Sequence, residues 1–497
     1  MLVGVSGSSH GQSADAPLRI SPDAAVTLAL ANNLRLESTR RSPAIADLDV
    51  QAAASAWRPS VVATVGHGRA SSPASGSFDR ALGVVTDRQV SSDVAVSQLL
   101  PWGTSYEVGW RSVRRSNNSL LNRFQPELNS AATASVYQPL LRDFTIDAAR
   151  ADHARQLQVR ERAELGLEED VTGLRREVLH AYWRWVYTRE LRGVATEALA
   201  LARALLDGNR ERVAARAMAA TDVIEAEAEV ARRDEAVIVA EKNVANAEDQ
   251  LRLLILDPRA PNYFAPLEPV DAAAPETARG GDAIGQALAA RSDVRALKSV
   301  IETDDISLRQ FRNDALPDVT LSAGVAAQAL GGTELIRDGG PDAPVIGSLE
   351  RGFGPLLGDL GQFRYPGWSV QLTVGYPVGA AVAKAHAARA QVQKRQTEIS
   401  LAALEQQVVI EIRAAQREVE TNDRRLESTA TAVALAERRL AAEEEKFLVG
   451  LSTSFFVFQA QRDLASARVA RQAAVLEHRF SVADLDAVQS APLRPLR

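Results

Sequence analysis

The stretch Trp368-Ser369-Val370-Gln371-Leu372-Thr373-Val374-Gly375-Tyr376 alternates large apolar side chains with small or polar ones without a break. Successive side chains of a β-strand point to opposite faces, so this segment reads as a strand with one apolar and one polar face. Residues 319–327 repeat the pattern, with Val319, Leu321, Ala323, Val325 and Ala327 set against Thr320, Ser322, Gly324 and Ala326. A shorter case places Tyr106, Val108 and Trp110 against Ser105, Glu107, Gly109 and Arg111. A small-polar face can line water while an apolar face meets lipid. Trp368 and Tyr376 stand at the two ends of their strand, where interfacial aromatics would sit, and Trp102 and Trp110 are candidates for the same role. A soluble sandwich with one buried face explains any single strand equally well. It explains less well why the strands are few and flanked by very long helices.

Those helices are predicted over 145–208, 220–255, 382–448 and 455–487, in segments dominated by Ala, Leu, Glu, Arg and Gln. Ile412, Val419, Leu426, Val433, Leu440 and Phe447 recur every seven residues, as do Val223, Val230, Val237, Val244 and Leu251. A strict seven-residue repeat implies coiled-coil packing with left-handed supercoiling. The complementary positions Ala415, Asn422, Thr429 and Ala436 are small or polar. One strong seam beside a seam of small residues suits a helix packed between two neighbours, as in a hollow helical cylinder. A four-helix bundle or an elongated coiled coil remains an equal reading of the helices alone.

The chain also repeats itself. Leu30-Ala31-Asn32-Asn33-Leu34 opens a helical stretch that closes at Arg58-Pro59-Ser60-Val61. Leu288-Ala289-Ala290-Arg291-Ser292 opens another that closes at Leu316-Pro317-Asp318-Val319, and an offset of 258 aligns both ends. Gln138-Pro139-Leu140 and Tyr376-Pro377-Val378 match at offset 238, and Thr221-Asp222-Val223 and Phe455-Phe456-Val457 at offset 234. The shared order, helix, strands, very long helix, turn, long helix, carries this reading more than the few identities do. The drop from 258 to 238 gives the first copy 20 extra residues in its β region, which a hairpin near 93–111 would hold.

The organisation that follows is an N-terminus over 1–20, disordered or a signal remnant, and a first repeat over 21–256 with strands in 60–139 and a helical hairpin in 145–255. A Pro-rich linker over 257–281 leads to a second repeat over 282–488, with strands in 318–377 and a hairpin in 380–487, and a tail over 489–497. Ser71–Ser92 and Gly331–Pro366 read as Gly- and Ser-rich loops joining strands. An exported chain is expected to carry a signal peptide, whereas Met1–Pro17 is small and polar.

Four or so strands cannot close a barrel, and in lipid each open edge leaves backbone groups unpaired at several kcal/mol apiece. Three chains would supply a ring of roughly twelve strands. A helix over 145–208 would extend this ring by about 95 Å.

Composition narrows the function classes. A formal net charge of −6 without a basic block argues against nucleic acid as a partner. No apolar run is long enough for a transmembrane helix. Cysteine is absent, which excludes disulfides and thiolate sites. His10, His67, His153, His180, His386 and His478 show no ligand spacing, and no phosphate-cradling loop or catalytic constellation is present. No metal, cofactor or enzymatic activity is expected. Trp183 and Trp185 fall mid-helix and read as packing anchors.

The segment Val449-Gly450-Leu451-Ser452-Thr453-Ser454, leading into Phe455-Phe456-Val457-Phe458-Gln459-Ala460, resembles the helix-turn-helix tip of the TolC family of outer-membrane channels. There a Gly-containing turn precedes an Asp-Val-Leu-x-Ala-like helix start. Phe456 stands where aspartate is usual; the first copy keeps it as Asp222, but has Arg216 where the second has Gly450. Gln138-Pro139-Leu140-Leu141-Arg142 resembles a segment of one branch of the family where a strand enters the long helix.

The resemblance covers nearly the whole duplicated plan. It implies a mostly α fold with a small β part, assembled as a homotrimer with an α-helical barrel and a shared transmembrane β-barrel. It implies a place in the outer membrane of a Gram-negative bacterium, extending into the periplasm. The role it implies is that of an exit duct for a tripartite efflux pump or type I secretion system. Its partners would be a periplasmic adaptor (membrane fusion protein), an inner-membrane pump or ABC/RND-type transporter, and outer-membrane lipid. By position, Arg216, Ala217, Asp222, Gly450, Leu451, Ser452 and Thr453 would form the docking tips. Glu443, Glu444 and Glu445, within two turns of the second tip, are candidate gate residues, because acidic rings favour cations. A soluble coiled-coil scaffold and a periplasmic adaptor are the alternatives; an adaptor has the long hairpin once, and this chain has it twice.

Overall fold

The structure, a computed structural model, describes residues 18–74, 79, 82–120, 122–259, 267–269, 283–340, 343–376 and 378–489. In chain order the elements are β1 (Leu18–Ile20), α1 (Pro22–Asn32), α2 (Leu34–Thr39), α3 (Ser42–Ala54), β2 (Ser60–Pro73), β3 (Val84–Leu99), β4 (Ser105–Asn117), β5 (Phe124–Pro139), α4 (Ala148–Ala214) and α5 (Ala220–Ile255). They continue with β6 (Leu267–Pro269), α6 (Ala283–Ala290), α7 (Ser292–Asp314), β7 (Asp318–Arg337), β8 (Val345–Arg351), α8 (Phe353–Gly361), β9 (Pro366–Gly375), α9 (Ala381–Leu448) and α10 (Ser454–Gln489). They divide into two compact units: residues 1–45, 161–299 and 398–497 form one, and residues 46–160 and 300–397 form the other.

The first unit is helical. Ser21 caps α1 by accepting from the Ala24 N–H at 3.1 Å, and Pro22 fills the first helical position, where a missing N–H costs nothing. Asn33 ends α1 and starts α2. Its Oδ1 accepts from the Leu36 N–H at 3.1 Å, and its Nδ2 donates to the Leu254 carbonyl at 3.2 Å. Asn32 Nδ2 donates to the Ile255 carbonyl at 3.1 Å, so two carbonyls at the open end of α5 find partners. Arg291, which lies 258 positions after Asn33, likewise separates α6 from α7, so the repeat extends to the helix break.

A core of Ile20, Val26, Leu36, Leu174, Val178, Tyr182, Trp185, Leu251 and Ile255 ties these elements together, with Trp183 packed at its margin. Tyr182 donates to the Ile20 carbonyl at 3.1 Å, satisfying its buried hydroxyl. Residues 18–20 are therefore not part of a structureless N-terminus. They form a strand paired in parallel with Leu267–Pro269, inside the segment read as a linker. Residues 1–17, most of 257–281, and 490–497 lie outside the described residues.

The seven-residue seam of α9 is buried at Ile412, Val419, Val433, Leu440 and Phe447. That of α5 is only half-buried at Val223, Val230, Val237 and Val244, and closes fully at Leu251. Asn422, in the small-polar seam, is 1% exposed; its Nδ2 donates to the Glu477 carbonyl of α10 at 3.3 Å. A buried, bonded Asn at such a position fixes register.

The second unit carries one antiparallel sheet in the order β2-β3-β4-β5-β7, with β7 paired on its far side to β9 over one half and to β8 over the other. The sheet therefore has six strand positions, two more than the four or so read from the sequence. The added hairpin is β3–β4, turned at residues 100–104 and fully paired with its neighbours. It extends beyond the 93–111 expected from the sequence: within Ser71–Ser92, which reads as loop by composition, β2 runs to Pro73 and β3 starts at Val84. The Gly331–Pro366 stretch is likewise structured, holding the end of β7, all of β8, and α8.

Candidate membrane face and helical tips

Register sorts the sheet into two faces. Val94, Trp110, Ala132 and Ala327 oppose one another across β3, β4, β5 and β7, and so share one side. The same side carries Val61, Val65, Val96, Val108, Val136, Leu321, Val325, Trp368, Val370, Leu372 and Val374. Much of it is bare in the single chain: Val65 is 79% exposed, Trp368 80% and Val374 64%. An apolar surface of this extent on a lone protomer calls for lipid or another chain to cover it.

The opposite face carries Thr64, Gln89, Ser91, Asp93, Arg111, Arg115, Glu127, Asn129, Thr133, Ser135, Ser322, Gln371 and Thr373. Its arginines are matched. Arg111 binds Asp93, Arg115 Nε binds Asp87 Oδ2 at 2.6 Å, and Arg123 Nε binds Glu334 Oε1 at 2.7 Å. A polar, charge-balanced face suits water.

The four aromatics picked from the sequence take different places. Trp110 and Trp368 lie on the apolar face near one another's level, since Trp110 aligns with Ala327 and Trp368 with Val325. Trp102 is 60% exposed in the turn between β3 and β4, and Tyr376 is 58% exposed just past β9, both at the helix end of the sheet.

Helix α8 was missed, because Gly354, Pro355, Gly358 and Gly361 disguise a short amphipathic segment. It lies on the apolar face. Leu356 and Leu360 pack against Ala327, Ala329, Trp110 and Leu128, and Phe353 meets the Trp110 ring edge-on at 6.1 Å. Gly331 permits this approach: a Cβ there would run into the Leu356 side chain and the Arg351 carbonyl. Asp359, a buried residue of α8 itself, pairs with Arg351 at 2.7 Å and Arg364 at 3.2 Å.

At the far ends of the hairpins, the two turns share a geometry. Arg216 has φ +60° and Gly450 φ +79°. The Ala217 N–H donates to the Arg212 carbonyl at 2.8 Å, and the Leu451 N–H to the Lys446 carbonyl at 2.8 Å; the residue before each donates three back. Both turns are thus Schellman caps. The next helix starts alike: Asp222 N–H donates to the Ala219 carbonyl and Phe456 N–H to the Thr453 carbonyl. Leu451 is 80% exposed at this tip, with Ser452 and Thr453 beside it.

Of the candidate gate carboxylates, Glu443 is engaged locally. It accepts from the Ser452 hydroxyl and from Lys446 Nζ at 3.1 Å. Those donors, the Ser452 hydroxyl foremost, hold its carboxyl below the usual range. Glu444 is half-buried and Glu445 exposed, and neither forms an ion pair with a described residue.

Among the described residues no helix is long and apolar enough to cross a membrane, and no group of three or more His, Asp and Glu could hold a metal ion.

Solved structures share this architecture over nearly the whole chain. The CmeC outer membrane channel of Campylobacter jejuni matches with a TM-score of 0.67 at 14% identity, over 94% of this chain and 85% of its own. The chain has the fold of the TolC-like outer-membrane channels. The outer membrane protein VceC of Vibrio cholerae matches at a TM-score of 0.63 and 15% identity, over 94% of this chain and 96% of its own. The open-state MtrE outer membrane channel of Neisseria gonorrhoeae matches at 0.62 and 16%, over 94% and 88%. No protein-family model matches the sequence, and no curated protein matches it. At these identities the channel fold is shared while the side chains on its surfaces are this chain's own.

Proposed function

We propose that the chain is one protomer of a trimeric outer-membrane channel, and that it serves as the exit duct of a tripartite efflux pump or type I secretion system. One observation carries this reading: a sheet with an apolar face, a charge-balanced polar face and two open edges. Strands of 13–16 residues in β3, β4 and β5 exceed the 9–11 or so that a tilted strand needs to span the hydrocarbon core. β2 pairs only with β3, and β8 and β9 only with β7, so each edge leaves a row of backbone groups free. In lipid those groups must pair.

Six positions, an even number, let the strand direction alternate through the join between copies. β2 of one protomer would lie antiparallel to the β8 and β9 edge of the next, and three copies would close three times six, eighteen, strand positions. Barrels of 16–18 strands enclose an aqueous lumen.

The tips built on Arg216, Ala217, Asp222, Gly450, Leu451, Ser452 and Thr453 are the proposed docking points for a periplasmic adaptor that joins the channel to an inner-membrane transporter. Glu444 and Glu445, with Glu443, are proposed to line the resting constriction. Replacing all three with Gln would then weaken cation selectivity, and an unchanged reversal potential would remove them from the gate. The channel reading itself is tested by adding purified protein to planar bilayers. Stable stepwise conductance is the expected result. Protein that stays soluble without detergent and gives no conductance would overturn it.

A further inference from the structure

The two faces of the sheet treat arginine differently. On the polar face Arg111, Arg115 and Arg123 each have a carboxylate partner. On the apolar face Arg69, Arg88 and Arg114 are exposed and form no hydrogen bond or ion pair with any described residue. Register gathers these three. Arg69 is directly opposite Arg88, and Arg114 is opposite Val90, two residues from Arg88 on the same face. Direct neighbours stand about 5 Å apart at Cβ and diagonal ones about 7–8 Å. The residues beside them on that face are His67, Val90, Ser112, Ser116 and Leu128, with no carboxylate among them.

Like charges placed opposite each other destabilise a sheet, so this cluster calls for a counter-anion from outside the chain. Its level is informative. Following β2 away from the helices, Val61, Ala63 and Val65 give way to His67 and then Arg69; on β4, Val108 and Trp110 give way to Ser112 and then Arg114. The arginines therefore begin where the apolar band ends, at the loop side. Helix α8 lies on the same face, and its exposed Phe353 and Leu357 add apolar surface for acyl chains. Planar guanidinium groups match phosphate oxygens in paired hydrogen bonds.

We propose that Arg69, Arg88 and Arg114 bind the phosphate groups of outer-leaflet lipid, anchoring the channel at the outer rim of the membrane. This rests on the reading of the apolar face as lipid-facing. The test uses the full chain purified in neutral detergent, mixed with lipid A carrying both phosphates, with the same lipid after dephosphorylation, or with inorganic phosphate, and followed by native mass spectrometry.

Wild-type protein is expected to retain the phosphorylated lipid and not the dephosphorylated form, and inorganic phosphate is expected not to displace it. The triple variant R69Q/R88Q/R114Q should bind on the order of a hundred-fold more weakly, as three surface arginines near anionic lipid imply. The R69K/R88K/R114K variant should keep part of the binding, and R111Q/R115Q, which removes charge from the polar face, should keep all of it. Equal retention by wild type and the triple Gln variant, or equal retention of the dephosphorylated lipid, overturns the proposal. Displacement by inorganic phosphate alone overturns the lipid as the source. Bilayer conductance of the same preparations separates the two readings. Channels that form normally while lipid retention ignores the arginines sink only the anchor, and loss of all conductance in wild type sinks the channel.

Discussion

Arg216 and Gly450, 234 positions apart, occupy the same place in two equivalent turns, both at positive φ and both followed by an N–H that reaches five residues back. One turn uses the residue suited to that conformation and the other tolerates an arginine. A left-handed conformation costs a residue with a Cβ about 1–2 kcal/mol relative to glycine.

Arg216→Gly should therefore tighten the first tip, and Gly450→Ala should loosen the second. Space around Gly450 is open, so the cost is one of backbone conformation. Amide hydrogen exchange at Ala217 should slow about five-fold in the first variant, and that at Leu451 should quicken about five-fold in the second, for a change near 1 kcal/mol in local opening. Equal exchange in both variants would show that the turns are held by something other than their caps.

Glu443 supplies a pH dependence at the same tip. The Ser452 hydroxyl, then Lys446, hold its folded pKa below the ordinary carboxylate value. Its contribution is thus present above the unfolded pKa and lost as pH falls through the folded one. Ser452→Ala removes the larger cause. The variant's tip should exchange faster than wild type at neutral pH, and the difference should vanish once acid has protonated Glu443 in both.

Asp486 on α10 behaves in the opposite sense. Burial raises its pKa, and Arg175 only partly offsets this. The folded chain then holds the proton more tightly than the unfolded chain, so stability falls as pH climbs from the unfolded pKa through the folded one. Asp486→Asn should raise the thermal midpoint at pH 7 and leave it unchanged below about pH 3.9, where both states of the wild type carry the proton.

Glu229 joins α5 to α10. Its side chain is 4% exposed and accepts from Arg232 at 2.6 Å and Arg233 at 2.9 Å, with Arg462 of α10 at 3.5 Å. Glu229→Ala strands these guanidinium groups and should destabilise the hairpin by roughly 2 kcal/mol. Glu227→Ala, which breaks only the exposed pair with Arg210, should cost under about 1 kcal/mol. Denaturant midpoints of the two variants compare the effects.

What could be read in advance followed from periodicity. The seven-residue repeat from Ile412 to Phe447 and the alternation from Trp368 to Tyr376 are long enough for the period to stand out, and they marked a mostly helical chain with a β part. Strand count was harder. In β3, Asp87, Arg88, Gln89, Ser91, Ser92 and Asp93 make the run look like loop, because one face is charged and Arg88 interrupts the other. The charges become intelligible only once cross-strand partners such as Arg111 and Arg115 are in place. Helix α8 escaped notice because its stabilisation comes from Trp110 and Leu128, distant in sequence, and not from its own propensity. The correspondence of the two tips was legible from the 234-residue offset, but their shared left-handed turn was not, because Arg216 takes a conformation imposed by the flanking hydrogen bonds.

The central claim is that protomers of this chain close a membrane channel together. Electron cryo-microscopy of the protein extracted from membranes in detergent tests it most directly. The account predicts three copies about one axis, with a closed ring of three times six strand positions and the apolar face outward within the detergent belt. A single chain that stays soluble as a rod without detergent, its sheet edges unpaired, would contradict it.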